Sequence, residues 1–352
     1  MGVEGVLIYM QLKFHKLPIE GIEELGQPLY FTDFGAAFVG DSRDLLKRMP
    51  SNYIDLIVTS PPFPLQRNKE YGRFSFEDKF VEWFMPFAVE VKRVLKKTGS
   101  FVIDLGGVYV KGRPVRSLYP YRLLIKLVDD LGFVLAQEFF WFNPSKLPSP
   151  IEWVNKRKIR VKDAVNIIWW LAKDDFPKAN VEKVLIAFSK RMEQLLRLKE
   201  RFYRPKKRPS GHEISDRFMK LTKKGAIPPN LLVIPNTKST TRYLNACKKL
   251  GINPNPARFP EELPEFFIKF LTDENDIVLD IFAGSNTVGF VAEKLRRKWI
   301  AFEIEKKYLV ASISRFISNE ELEKIFNLIS DLNKGEPLYI KTKRDGDITE
   351  FL

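Results

Sequence analysis

The sequence predicts an α/β protein built on an open, mostly parallel sheet. Three observations carry this. Short apolar runs alternate with stretches whose apolar residues recur at helical spacing; several of the runs stop at Gly, Pro or Ser; and the 352-residue chain is 45% apolar, with 29 Phe. A chain of this length and composition can bury a sizeable core, which excludes a solvated disordered segment or a miniprotein.

Residues 1–30 show no such alternation and read as an N-terminal extension. The first strand is Ala37 to Gly40, after which Asp41 and Ser42 can cap a helix through Leu45 and Leu46. Tyr53 to Thr59 is the next strand, closed by Ser60-Pro61-Pro62-Phe63, where two prolines forbid its continuation. Phe80 to Lys97 carries Phe80, Phe84, Phe87, Val91 and Leu95 on one helical face and ends at Thr98-Gly99. Ser100 to Asp104 is a strand turning at Gly106-Gly107, and Tyr119 to Leu131 a helix. Val134 to Phe142 and Asn166 to Ala172 are two further strands, joined by a long basic connection that completes a first half over 31–172.

From 173 to 257 the pattern weakens into a region rich in Pro, Lys, Arg and Asn, read as a second, irregular part. Regularity returns over 258–317. Phe259-Pro260 opens a helix with Leu263, Phe266, Phe267 and Phe270 on one face, and Asp276 to Asp280 is a strand leading into a turn that runs to Gly289. A helix (Val291 to Arg297), a strand (Trp299 to Glu303) and a helix (Tyr308 to Ile317) follow, and 318–352 reads as a C-terminal helix and charged tail. These elements supply seven strands.

Charge is unevenly spread. The chain has 58 Lys+Arg against 44 Asp+Glu, a net of +14, and +11 of this falls between Lys146 and Arg208, which hold 18 basic and 7 acidic residues. Such a block is either a solvated face or a surface that follows a phosphate backbone by displacing counterions. The single Cys247 rules out an intrachain disulfide and a Cys-based zinc site, and His15 and His212 are the only histidines, so no metal is expected. Glu4 stands where a secretory signal would be basic, and no apolar run approaches the roughly 18 residues of a membrane span, so a cytoplasmic protein is expected.

Two motifs carry chemistry. Asp280-Ile-Phe-Ala-Gly-Ser-Asn-Thr287 is a strand ending in an acidic residue followed by a small-residue turn into a helix, which lets backbone approach a cofactor at the carboxyl edge of a parallel sheet. Glu303, about twenty residues on and at the next strand end, is placed to accept from ribose hydroxyls. The turn is not G-x-G-x-x-G. Gly284 and Gly289 have phosphate-loop spacing, but Phe290 replaces the required Lys. A nucleoside cofactor without a pyrophosphate fits best, which points to S-adenosylmethionine, with a purely structural turn as the alternative.

Thr59-Ser60-Pro61-Pro62-Phe63 is either a rigid stop or a device for an exocyclic amino group, whose nitrogen is a poor nucleophile because its lone pair is delocalised into the ring. The Ser60 oxygen and the Pro61 carbonyl, fixed in advance on the two N–H bonds, would favour the tetrahedral nitrogen of the transition state, and Phe63 would stack on the base.

Together the motifs resemble the amino-methyltransferases of DNA. Ser-Pro-Pro-Phe is typical of the cytosine-N4 branch, whereas adenine-N6 enzymes more often carry Asp or Asn first, and its position ahead of the cofactor motif is the permuted order of the β group. Asn143 to Asp163, Arg208 to His212, Ile227 to Leu231 and Ala257 to Pro260 also resemble that branch, so the similarity runs from about Thr32 to Phe316. It implies a Rossmann-like S-adenosylmethionine-dependent fold, circularly permuted, with a mixed, mostly parallel seven-stranded sheet and a small target-recognition region over 173–257.

Carried over, the resemblance implies that Asp280, Phe282, Gly284, Ser285, Asn286 and Thr287 line the cofactor pocket, with Glu303 on the ribose. Phe259 and Pro260 would lie against the methionine end, where an aromatic face suits a sulfonium by roughly 0.5 to 2 kcal/mol; Phe259 as an ordinary core residue is the alternative. Asp104 either polarises Ser60 or helps relay the lost proton, or it caps the Gly106-Gly107 turn. The base must be flipped out of the duplex and held by stacking, for which Phe63 and Trp141 are the candidates.

Lys156, Arg157, Lys158, Arg160, Lys206, Lys207 and Arg208 are candidate phosphate contacts. Ser210 and His212 are candidate base contacts, with His212 packing or facing solvent as the alternative. The implied function is N4 methylation of cytosine in double-stranded DNA, paired with a restriction endonuclease, and the resemblance suggests CAGCTG as the site. Adenine-N6 methylation and a non-catalytic DNA-binding protein are the competing functions, and oligomeric state is open. Cytosine-C5 chemistry is disfavoured, since Cys247 lies outside both motifs.

Overall fold

Strand pairing follows from which segments are apolar on both faces. In a computed structural model of the protein, which describes residues 17–63, 77–198, 225–237, 241–317 and 337–342, the first half of the chain supplies β1 (Tyr30–Phe31), β2 (Gly35–Val39), α1 (Ser42–Lys47), β3 (Ile54–Thr59), α2 (Glu77–Val94), β4 (Leu95–Leu105), α3 (Tyr119–Asp129), β5 (Val134–Phe142) and β6 (Val165–Ala172). The remainder supplies α4 (Lys190–Leu198), β7 (Leu231–Val233), α5 (Thr241–Lys249), α6 (Glu262–Leu271), β8 (Ile277–Asp280), α7 (Thr287–Lys294), β9 (Lys298–Glu303), α8 (Lys306–Ser312) and β10 (Leu338–Tyr339).

All six positions of β3 are buried, the pattern of a central strand covered on both faces. Its side chains divide between two cores. Ile54 and Ile57 join Phe80, Phe84 and Val91 of α2 with Leu123 and Leu127 of α3, while Leu56 and Val58 join Leu263 and Phe267 of α6 with Val288 and Val291 of α7. The sheet is therefore sandwiched between helical layers.

The strands form one sheet in the order β10-β1-β2-β9-β8-β3-β4-β6-β5-β7. The run β2-β9-β8-β3-β4 is parallel. β6 is antiparallel to both β4 and β5, so β5 again points the same way as β4. Val39, Glu303, Asp280, Thr59, Leu105 and Phe142 thus all end at one edge. The crossover through α2 and that through α7 leave the β3–β8 pair on opposite faces, which makes it the switch point where open α/β sheets bind ligands.

Ten strands replace the seven expected. The additional β1, β7 and β10 are two or three residues long and too short to leave an alternating pattern. The helix read to Lys97 ends at Val94, because Leu95 already pairs with Ile54 in the sheet.

The chain divides into two units, 1–178 with 230–352, and 179–229. β7 and α5, within the stretch read as irregular, belong to the larger unit. In the smaller one, a short helical turn at Val181–Val184, α4 and a bridge between Ile186 and Ala226 are described. Lys206, Lys207, Arg208, Ser210 and His212 lie outside the described residues, as do 1–16 and most of the predicted C-terminal helix and tail. No described helix is long and apolar enough to cross a membrane.

Candidate active site

The register of the sheet brings the first motif to its partner. Thr59 stands opposite Ile103, so Ser60 emerges from β3 beside Asp104 of β4, and the Ser60 hydroxyl donates to Asp104 Oδ2 at 3.3 Å. Ile168 of β6 faces Asp104, and two residues away on the same face Asn166 Nδ2 donates to Asp104 Oδ1 at 3.1 Å. Burial pushes the Asp104 carboxyl up to about 6, opposed by the hydrogen bonds from Asn166 and Ser60 and by the Lys146 charge. Among the described residues the Asp104 carboxylate is bonded to side chains and not to the Gly106-Gly107 turn. Gly106 has a separate purpose: a Cβ there would lie 2.7 Å from the Phe63 ring, so its absence lets the ring settle on the backbone.

The second motif is a turn braced from below. Asp280 Oδ1 accepts from Thr59 Oγ1 at 2.7 Å and from the Phe282 amide at 3.0 Å, tying β8 to β3. Burial raises the Asp280 carboxyl to about 7, with the nearby Glu303 adding to the shift. Glu303 Oε2 accepts from the Gly284 amide at 2.7 Å and Oε1 from the Glu305 amide at 2.9 Å; burial raises this carboxyl as well. Gly284 has φ +52°, and a Cβ on it would stand 2.1 Å from Asn255 Nδ2. Asn286, at φ 50°, caps α7 by accepting from the Gly289 amide at 3.1 Å, and its Nδ2 donates to the Tyr30 hydroxyl at 2.7 Å.

A cavity of about 710 Å³ joins the two motifs. Ser60, Pro61, Pro62, Phe63, Asp104 and Trp141 line one end, and Phe259, Phe282 and Glu303 line the other. Asp280, Gly284, Ser285, Asn286, Thr287 and Pro260 do not line it. Ser285 and Thr287 are buried against Arg315, whose Nη2 donates to their hydroxyls at 3.2 and 3.1 Å, so these side chains hold the shape of the turn. Trp141 reaches the wall while its Nε1 donates to the Ile234 carbonyl at 2.9 Å.

Several lining residues lie outside the two motifs. Asp41, capping α1, and Arg43, ion-paired with it, come from the turn after β2. Trp83 and Phe87 of α2 form an aromatic wall with Phe282, at centroid distances of 5.8 and 5.1 Å. Asn143 and Lys146 enter from the basic connection after β5, Asn166 from β6, and Asn255 and Arg258 from the turn before α6. Burial lowers the Lys146 ammonium, while Asp163 and Asp104 oppose the shift. The usable signal for Asn143 and Lys146 is that β5 ends at the same edge as β3 and β4.

The basic run is exposed on that connection. Lys156 and Arg157 both pair with Glu152, at 3.4 and 3.0 Å, and Arg157 also covers the Trp153 ring. Lys158 projects from a positive-φ turn, and Arg160 folds back to donate to the Pro114 carbonyl at 2.9 Å.

The family model for N6 and N4 methyltransferases, described as DNA methylase, matches residues 54–314. The type II methyltransferase M.PvuII of Proteus hauseri is 53% identical over 313 residues, 89% of this chain and 93% of that protein. The DNA adenine methyltransferase YhdJ of Escherichia coli (strain K12) is 28% identical over 294 residues, 81% of this chain and 85% of that one. The solved structure of the PvuII DNA methyltransferase (cytosine-N4-specific) superposes with a TM-score of 0.72 at 47% identity, covering 90% of this chain and 97% of that one. With the two motifs facing one cavity at the switch point of the sheet, the chain belongs to the N6/N4 family of DNA methylases.

Proposed function

We propose that the protein transfers a methyl group from S-adenosylmethionine to the N4 nitrogen of a cytosine in a short duplex DNA site, as the modification enzyme of a restriction-modification pair. The observation that carries this is the single cavity with Ser60-Pro61-Pro62-Phe63 at one end and Phe282 and Glu303 at the other. The relative with 53% identity, whose solved structure is titled cytosine-N4-specific, supports N4 over N6. The residues fit the cofactor. Glu303 lines the cavity with its carboxylate fixed by backbone amides and oxygens able to accept from ribose hydroxyls, and Trp83, Phe87 and Phe282 offer an aromatic wall.

When bound, S-adenosylmethionine supplies an electrophilic methyl group on a sulfonium. The protein's task is to prepare the nucleophile. The Ser60 hydroxyl donates a hydrogen bond to Asp104, which turns the lone pairs of Ser60 Oγ outward to accept one amino N–H of the flipped base, while the Pro61 carbonyl accepts the other, and the proton that the nitrogen loses on methylation passes by way of Ser60 to the Asp104 carboxylate. Phe63 and Trp141 flank the ring, and Asn166 and Lys146 are donors for its ring acceptors.

Asp104 can take that proton only when ionised. The wild-type single-turnover rate should therefore fall about tenfold per pH unit below a pH of about 6, where the carboxyl gains its proton. Asp104→Asn should lower the plateau by about 10²-fold and remove that limb. A wild-type rate in the variant would show that the carboxylate has no part in the reaction.

The function itself is tested by incubating the protein with cofactor and unmethylated duplex containing CAGCTG, digesting to nucleosides and identifying the product by mass spectrometry. N4-methylcytosine is expected. N6-methyladenine would select the adenine reading, and no methylated nucleoside a DNA-binding protein on the same scaffold. The basic connection is tested by salt titration of duplex affinity. Replacing Lys156, Arg157 and Lys158 together by Gln should weaken binding about tenfold near 0.1 M salt and reduce the log–log slope by about 2 to 3. An unchanged slope would put the phosphate contacts elsewhere.

A further inference from the structure

A base held in the cavity leaves a gap in the duplex that the cavity cannot fill. The neighbours of the extracted cytosine are half unstacked and its guanine has no partner, and apolar side chains inserted between base steps are how proteins hold such gaps open. The connection from β5 to β6 has the side chains for this. Between Asn143 and Asp163 it carries six Lys or Arg and two acidic residues, yet Leu147 is 80% exposed and Val161 87%, with Ile151 and Ile159 about half exposed. A single exposed leucine needs no explanation, but bare apolar groups set among cations on one connection mark a contact surface. A second copy is a poor occupant, because a chain of net charge +14 repels itself; duplex DNA suits both the charge and the apolar groups.

Leu147 stands apart by its place. Lys146, the residue before it, lines the cavity near Asp104, whereas Leu147 is not among the lining residues. The turn that presents it is held from several sides. The Asn143 carbonyl accepts from the Lys146 amide at 3.2 Å and its Oδ1 from the Ser145 amide at 3.1 Å. Lys162 Nζ donates to the Pro144 and Lys146 carbonyls at 3.2 and 3.4 Å. The Asn143 and Asp163 amides close the loop on the Ala164 and Ser149 carbonyls, at 2.9 and 3.1 Å. Pro148 then restricts Leu147 to extended backbone. A fixed backbone under a bare apolar side chain is what a wedge requires, since little ordering is lost on insertion and apolar area is gained.

We infer that Leu147 enters the duplex at the target step and occupies the space left by the flipped cytosine, while Lys146 faces the base in the pocket. The inference rests on the cytosine-N4 reading above, and the test keeps the two apart.

Single-turnover methylation by the full chain is compared on two duplexes containing CAGCTG, one fully paired and one with the target cytosine mispaired with adenine, where little pairing is left to break. Leu147→Ala should slow transfer about 10- to 30-fold on the paired duplex and less than about threefold on the mispaired one, each relative to wild type on the same DNA. Leu147→Met, which keeps an apolar side chain of similar volume, should recover most of the loss, and the melting temperature of both variants should be that of wild type. An equal loss on both duplexes would make Leu147 a support for the Lys146 turn. No loss on either would leave it outside the contact, and a loss in Val161→Ala but not in Leu147→Ala would put the wedge elsewhere on the connection. Each of these overturns the inference. A wild-type protein that forms no N4-methylcytosine on either duplex would overturn the functional reading beneath it.

Discussion

Ser60→Ala should slow methyl transfer by about 10²- to 10³-fold while leaving cofactor affinity within about threefold of wild type. Preorganised polar groups aimed at a reacting atom are worth this much because they act in the transition state and cost no reorganisation there. In this protein the preorganisation is visible. β3 is buried along its length, two prolines fix the turn that follows, and the Ser60 hydroxyl is already committed to Asp104. The alanine variant loses the acceptor for one amino proton and leaves Asp104 with Asn166 alone. Single-turnover transfer and cofactor titration on the same preparation check this. A variant that keeps its turnover and loses cofactor affinity would relocate Ser60 to the cofactor's side.

Gly284→Val should abolish measurable cofactor binding, a loss of at least about 10²-fold, with a lowered melting temperature. Two penalties coincide. At φ +52° a β-branched residue is strained by about 1 to 3 kcal/mol, and its Cβ would meet Asn255 Nδ2 at 2.1 Å. Relief by moving Asn255 would disturb its bonds to the Ala257 amide and the Tyr243 hydroxyl, and with them the segment that carries Arg258 and Phe259. Gly284→Ala should show the same direction with smaller loss. Wild-type cofactor affinity in the valine variant would mean that the turn does not approach the cofactor.

Much of this site was legible because its chemistry demands residue types at strand ends. Ser60, Asp104, Asp280 and Glu303 each follow or close an apolar run, and a parallel sheet carries such ends to one edge. Residues that depend on register were not legible. Asn166 reaches Asp104 only because β6 runs antiparallel to β4, and nothing local in Val165 to Ala172 announces direction. Asn255 comes from an irregular stretch whose meaning is set by the Gly284 turn opposite. Ser285, Asn286 and Thr287 show the converse. They were read as pocket lining, but their small polar side chains are buried on Arg315 and Tyr30, because a turn this tight needs internal hydrogen bonds. β1, β7 and β10 were missed because two or three residues cannot show a period.

The seam between β3 and β8 also bears on how the chain is made. Thr59 and Asp280, joined by one hydrogen bond, are 221 residues apart, so on a ribosome adding about 5–20 residues per second β3 waits about 10–40 s for the strand that covers one of its edges. Throughout that interval the apolar centre of the sheet has an open edge, which in a nascent chain is a template for wrong pairing. The permuted order that places the cofactor half last therefore leaves this edge of β3 uncovered until synthesis has passed β8.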